Sequence, residues 1–389
     1  MGDVAISAPL VRAYASANSE CNFFMVSQPR FEAMFSYPYQ QCAKIKSKQR
    51  EEIESKQERD FSFNQDSTAE FQNIDNKQIT VSAIENLHYI PLNTKHGASD
   101  YNGSWLQLIK FARTLKKQYG ITHFADIHDV LRTKVLRVTL WVLGVKVIKI
   151  DKHRKERSAL CRQHNKKFSQ IIKSQRCMEE VFVKLGLKDL HFSESTIKES
   201  FQKSKTDSRV IKIGIAPFAG HKGKEWPAEK MEDVLNYFAT LNSSEKEGEK
   251  GGVEYKILLY GGGKREIDIM RSWADKYPNT ELFAGKHSLY EELESMSSLD
   301  FMISMDSANM HLASLVGTSV ICIWGATHRY AGYNGWGQKD SNAVEVELPC
   351  RPCSIFGAKK CINPTPYACL NMVTPQMVIS KIVHECSNG

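Results

Sequence analysis

No apolar run in this chain is long enough to cross a bilayer. The best candidate, Val138–Val145 (VTLWVLGV), sits between Arg137 and Lys146, whereas a hydrocarbon layer of about 30 Å needs about 20 apolar residues. The opening residues, MGDVAISAPLVRAY, lack a basic stretch followed by an apolar one, so no secretory leader is expected. The phosphate-binding patterns GxxxxGK[ST] and GxGxxG are both missing, which removes the P-loop and the dinucleotide fingerprint. Helix-turn-helix, zinc-finger and aromatic RNA-binding patterns are missing too, so no nucleic-acid partner is expected. There is no internal repeat. A cytoplasmic chain is expected, and its ten cysteines then read as thiols or metal ligands, not as a secreted disulfide framework.

What is present suits two globular domains. The 389 residues are 42% hydrophobic, 10% aromatic and 25% charged, enough apolar material for two cores. The formal net charge of +8 hints at anionic partners without naming one. Short apolar runs alternate with helical spacing, the pattern of an α/β protein. In the first half, 22–27 reads as a strand, with weaker strands at 78–84 and 124–127. Residues 104–118 have helical spacing, with Trp105, Leu106, Ile109 and Leu115 on or near one face. Residues 43–77 are polar and read as a surface insertion. In the second half, strands at 210–216, 255–260, 281–283, 301–304 and 319–324 alternate with helices at 227–241, 266–276, 289–297 and 309–315, which is a doubly wound parallel sheet. Thr374 and Pro375 open a closing helix. The polar stretch 193–208 marks the boundary, giving domains at 1–195 and 209–389.

Five segments carry chemistry. After the strand at 213, a loop with Ala219 and Gly220 leads through Lys222 and Lys224 to Pro227, a place for a phosphate or a plain connection. Tyr260–Gly261–Gly262–Gly263 precedes Glu266, which suits ribose hydroxyls or a tight turn. Asp306, Ser307 and Ala308 follow a buried strand where ligands of open sheets bind, with His311 one turn on; Asp306 as a helix N-cap is the plainer reading. Asp3 stands in a small loop before a segment that turns helical from about Leu10. Cys350, Cys353, Cys361 and Cys369 offer a zinc site, a disulfide or a cluster of thiols.

The order and spacing of these segments resemble glycosyltransferase family 9, the lipopolysaccharide heptosyltransferases. The features are the GDV start, WLQLIKFARTLKK followed by FADIHDVLRT, KEWP, YGGG, DSANMHLA, WGAT and CRPC. The resemblance implies a GT-B fold: two Rossmann-like domains facing a cleft, acceptor on the first and sugar nucleotide on the second. It implies inverting transfer of heptose from an ADP-heptose to a glycolipid acceptor at the inner membrane surface, with no cofactor and no stable protein partner. Asp3 would be the general base. Lys224 would stabilise the departing diphosphate, helped by amides near Ala219 and Gly220, where family members often carry hydroxyls. Asp306, with Ser307, Ala308 and His311 around it, would hold the sugar; Glu266 would meet the ribose, and His287 the base. No Asp-x-Asp motif occurs, so no metal is expected to bridge the diphosphate. A catalytically inactive nucleotide-sugar-binding protein is the alternative.

Two further expectations concern surroundings. The run 146–167 holds nine Lys/Arg against Asp151 and Glu156, and would face phosphorylated glycolipid or anionic membrane, or be a solvated helix. In the family a buried strand precedes the GD loop; here Met1 stands directly before Gly2, so a first strand is expected to be missing.

Overall fold

The computed structural model describes residues 1–37, 80–81, 84–92, 104–190, 210–244 and 253–387. The insertion at 43–77 and the boundary at 193–208 lie outside them. Helix α1 (Gly2–Ala17) opens the chain and is followed by β1 (Phe23–Ser27), β2 (Thr80–Val81) and β3 (Leu87–Pro91). Next come α2 (Trp105–Tyr119), β4 (His123–Asp126), α3 (Leu131–Val142), β5 (Lys146–Lys149), α4 (Arg154–Leu160) and α5 (Ser174–Leu185). Strand β1 pairs parallel with β3, β2 antiparallel with β3, and β4 parallel with β5.

The second half is regular. It runs β6 (Val210–Ala216), α6 (Ala228–Ser244), β7 (Glu254–Leu259), α7 (Lys264–Lys276), β8 (Thr280–Leu282), α8 (Leu289–Ser297), β9 (Phe301–Met305), α9 (Ala308–Leu315), β10 (Ser319–Ile323), β11 (Ala343–Val344), α10 (Ala368–Asn371) and α11 (Pro375–Ser387). Six strands form one sheet in the order β11-β10-β9-β6-β7-β8, and every pair in it is parallel. Such strands are covered on both faces and so read as unbroken apolar runs. Ile213, Ile215, Met302, Ile303 and Ile321 are fully buried. The chain winds outward from β6 to β8, then returns to β9 on the other side. The strand order therefore reverses between β6 and β9, and outside the carboxyl ends of strands at such a point open α/β sheets bind their ligands. The Met377 amide donates to Thr374 Oγ1 at 3.3 Å, which caps α11 as its sequence suggests.

Three expectations change. Asp3 is not in a loop: α1 begins at Gly2, because Ala5, Ile6, Ala8 and Leu10 all pack into the core that also holds Met310, Leu312 and Trp336. The Trp336 indole donates to the Ile6 carbonyl at 2.8 Å. In α2 the buried face is Leu108, Ala112 and Leu115, while Trp105 and Leu106 are exposed. Spacing found the helix, but its neighbour α3 chose which stripe was covered. Finally, the run 146–167 is not one helix: it divides into β5, α4 and the turns around them, and its cations Lys146, Arg157 and Lys166 are tied to carbonyls. Lys146 Nζ donates to the Leu185 carbonyl and Lys166 Nζ to those of Pro349, Arg351 and Pro352. The buried Arg157 guanidinium donates to the carbonyls of Ala331 and Lys152 and to Ser174 Oγ. Arg157 and Lys166 tie the first half to the second.

Candidate active site

Lys224 ends the turn after β6 and Asp306 follows β9, so both stand at the reversal point of the sheet. Lys224 Nζ is 2.9 Å from Asp306 Oδ2, and both side chains are largely buried. The turn 222–224 is a 3-10 helix, fixed from below by the Gly223 carbonyl, which accepts from the Ala326 amide at 2.8 Å. Gly357 lies against the Lys224 stem: a Cβ there would be 2.6 Å from Lys224 Cγ, and its φ is +73°. Glycine is the residue that tolerates this conformation and permits this approach. Gly223 is equally tight, since its Cβ would be 2.6 Å from the Gly357 carbonyl oxygen. The loop 350–361 is thus the floor that aims Lys224.

Asp306 is not the N-cap of α9. Ser307 takes that position, with no side-chain cap bond, and its hydroxyl lies 3.2 Å from Ser304 Oγ. Asp306 is thereby left for Lys224. Ala308 is the first residue of α9, and Ala219 and Gly220 lie in the loop after β6; neither amide of that pair donates to another group of the described residues.

Asp3 joins this cluster from α1. Its Oδ2 is 3.3 Å from His128 Nε2 and 3.6 Å from Lys152 Nζ. Burial by itself would raise its pKa, but the His128 hydrogen bond and the charge of Lys152 hold the carboxyl well below its usual range. His128 is presented by the loop after β4. There the Asp126 carboxylate accepts from the amides of His128 and Asp129 and from Arg137. His311 on α9 packs against α1: a Cβ on Gly2 would meet its Cδ2 at 3.1 Å. Burial lowers its pKa to about 4, although Asp306 and Asp3 favour its proton. The ring is neutral at pH 7, and its buried Nδ1 has no hydrogen-bond partner among the described residues.

The outer candidates lie along the same edge. Glu266 folds back so that Oε2 accepts from the Gly262 amide at 3.0 Å, and Gly263 has φ +90°; the tight-turn reading of this segment holds as geometry. His287 stacks on Phe283 with centroids 3.9 Å apart, an aromatic ledge beside α8. Cys350, Cys353, Cys361 and Cys369 line one small cavity together with Arg351 and Lys359. No disulfide joins any of these four, and among the described residues no three His, Cys, Asp or Glu side chains are arranged to hold a metal. Arg351 instead braces the neighbouring loop, donating to the carbonyls of Trp324, Gly325 and Thr327 and to Glu345.

Sequence reasoning missed His128 and Lys152 as partners of Asp3, and Gly223 and Gly357 as guides for Lys224. The histidine and its flanking aspartates were visible in FADIHDVLRT; the glycines carried no local signal, because their contacts are distant in the chain.

The large parallel sheet, with its carboxyl-end edge toward α1 and the β4 loop, is an α/β architecture shared with GT-B glycosyltransferases of known structure. A glycosyl transferase family 9 structure from Veillonella parvula matches 100% of this chain and 95% of its own, at TM-score 0.60 and 15% identity. E. coli heptosyltransferase WaaC, solved with ADP, matches 77% of this chain and 84% of its own, at TM-score 0.51 and 16% identity. The family model for glycosyltransferase family 9 (heptosyltransferase) matches residues 146–360, and the chain belongs to that family. Lipooligosaccharide heptosyltransferase 2 of Campylobacter jejuni is 23% identical over 211 residues, 50% of this chain; the match covers 62% of that relative's length.

Proposed function

We propose that this chain transfers heptose from an ADP-heptose to a lipid A–core acceptor, inverting the anomeric carbon and using no divalent metal. The observation that carries the reading is the Lys224–Asp306 pair at the reversal point of the sheet, with Asp3 on a facing helix and His311 between them. ADP is the nucleotide held by the structurally similar E. coli WaaC, and the family description names heptosyltransferases.

In this mechanism an acceptor hydroxyl attacks the anomeric carbon from the Asp3 side. The new C–O bond forms as the bond to the β-phosphate oxygen breaks, and the electron pair leaves with ADP. Asp3 takes the hydroxyl proton. Both of its ion contacts are to Oδ2, which leaves Oδ1 for the hydroxyl. A carboxyl held this low is always ionised but is a weak base, and its contacts to His128 and Lys152 keep it oriented toward the acceptor. Lys224 leaves Asp306 for the diphosphate, joined by the Ala219 and Gly220 amides, and supplies the neutralisation that a metal would give elsewhere. Asp306, released, accepts from the sugar hydroxyls beside Ser307 and Ala308. Glu266 turns to the ribose, and His287 on Phe283 walls the base. Residues 1–195 hold the acceptor and 209–389 the donor.

The test is transfer of labelled heptose from ADP-heptose to lipid A–core in the presence of EDTA, with Asp3→Asn beside wild type. Transfer by wild type, its loss in Asp3→Asn and unchanged ADP affinity are expected. Full turnover by Asp3→Asn would remove the proposed base, and a requirement for divalent metal would remove the Lys224 mechanism.

A further inference from the structure

Two aromatic rings stand beside the Lys224–Asp306 pair and have no part in the mechanism above. Phe356 immediately precedes Gly357, which lies against the Lys224 stem, yet Phe356 is 61% exposed. Tyr333 is its neighbour, with ring centroids 6.3 Å apart and planes tilted by 42°. Apolar side chains exposed singly on a surface need no explanation. This one is held on the floor of the site with a second ring beside it, and ligand pockets are lined by aromatic rings with a few placed polar groups.

Tyr333 is fixed from the first half of the chain. The buried Arg157 guanidinium lies over its ring, 4.4 Å from the centroid. The preceding Gly332 carbonyl accepts from the Ser174 amide at 2.8 Å, and a Cβ on Gly332 would stand 2.5 Å from the Ile172 carbonyl oxygen. The phenol is thus held where the two halves meet. Its hydroxyl has no hydrogen-bond partner among the described residues. Burial raises its pKa, Arg157 opposes this, and the charges of Asp3 and Asp306 both add to it. The hydroxyl therefore lies within the field of both carboxylates.

Strand order decides which ligand the rings meet. Lys224 and Asp306 follow the central strands β6 and β9. Glu266 and His287 follow β7 and β8 on one side, while Tyr333 and Phe356 follow β10 and β11 on the other. A sugar nucleotide reaching from Lys224 toward Glu266 and His287 leaves both rings free for what lies beyond the transferred sugar. The face of an aromatic ring is electron-rich. The C–H face of a pyranose is apolar and weakly positive, and its hydroxyls lie at the rim. An open phenylalanine ring with an unpartnered phenol beside it matches that distribution.

We propose that Phe356 and Tyr333 form a subsite for a sugar ring of the acceptor, with the pyranose on the Phe356 ring and one of its hydroxyls hydrogen-bonded to the Tyr333 hydroxyl. The acceptor, held mainly by the first half, thereby also touches the second. The rings then select acceptors by the apolar face of that sugar. The proposal deepens the transfer reading and rests on it for the nature of the ligand, but its test needs no sugar nucleotide and no turnover.

The experiment is calorimetric titration of deacylated lipid A–core oligosaccharide into the full chain, with and without ADP, beside a titration of ADP alone. Wild type is expected to bind the oligosaccharide. Phe356→Ala should bind it about 10-fold more weakly, from the loss of one ring contact, with ADP affinity unchanged. Phe356→Tyr should keep wild-type affinity for both. Tyr333→Phe should weaken the oligosaccharide about 3- to 10-fold through one lost hydrogen bond, again without effect on ADP. Phe356 is exposed and Tyr333→Phe keeps the ring, so both variants should fold, which circular dichroism verifies. Equal oligosaccharide affinity in wild type and Phe356→Ala overturns the inference. So does a wild type that does not bind the oligosaccharide, while ADP binding by that protein would keep the donor half of the transfer reading. A matching loss of ADP in Phe356→Ala would put the rings on the donor side and overturn it as well. Oligosaccharide binding that depends on Phe356 in a protein that binds no ADP would retire the transfer reading alone.

Discussion

Replacing Gly357 by alanine tests how Lys224 is aimed. The residue is remote from Lys224 in sequence and has no polar side chain of its own. The added Cβ would lie 2.6 Å from Lys224 Cγ and 3.3 Å from Cδ and Cε, against about 3.5–4.0 Å for carbons in contact. The φ of +73° adds about 1–2 kcal/mol of left-handed strain for any L side chain. The stem of Lys224 has to swing away, and its ammonium no longer points where the diphosphate is proposed to sit. A charge-assisted hydrogen bond from the ammonium to phosphate contributes about 1.5–3 kcal/mol, so ADP affinity should fall by about 10- to 100-fold. The strain should lower Tm by about 2–8 °C in a domain of this size. Calorimetric titration of ADP into wild type, Gly357→Ala, Lys224→Ala and the double variant separates the two effects. If the glycine acts through the lysine, the double variant binds no more weakly than Lys224→Ala alone. A folded Gly357→Ala protein with wild-type affinity, or fully additive losses in the double variant, would refute the reasoning.

Other consequences follow from the buried polar groups. Burial lowers His311 and His328 from their ordinary 6.5 to about 4. The unfolded chain therefore binds more protons than the folded one between these values. Their contribution is fully present above pH 6.5 and is lost as pH falls toward 4, at up to about 3 kcal/mol each. Thermal melts should show Tm falling across that window, and His311→Gln should flatten part of the slope; an unchanged slope would show that His311 is not buried as a neutral ring. Arg157→Met should cost about 3 kcal/mol or more, because it leaves buried carbonyls at 331 and 152 without a donor, and urea melts measure this. Lys152→Met removes a cation 3.6 Å from Asp3 and should move the acid limb of the pH–rate profile upward, since less positive charge stabilises the carboxylate. An unmoved limb would detach Lys152 from the base.

The second half was legible because its signals are local. A parallel strand covered on both faces is a run of apolar residues, and each helix between strands carries its own 3.6-residue period; the helix at 289–297 was read residue for residue. The first half was harder. Asp3 looked like a loop residue because a short N-terminal segment rich in Ala has little periodicity, and its helix forms by packing on Met310 and Trp336, more than 300 residues away. The exposed and buried stripes of α2 could not be told apart by spacing, since apolar residues occupy both. At the site, charge-bearing residues after strands were readable, as Lys224 and Asp306 were. Their mutual contact was not, because it depends on the reversal of strand order between β6 and β9, which is a property of the sheet and not of either segment.

The most direct test of the account is calorimetric titration of ADP and then ADP-heptose into the full chain with EDTA present, repeated with Lys224→Ala. The account predicts a single ADP site formed without metal and weakened about 10- to 100-fold by Lys224→Ala, the loss of one charge-assisted contact to phosphate. A well-folded protein that binds neither ligand, or that binds ADP equally well without Lys224, would contradict it.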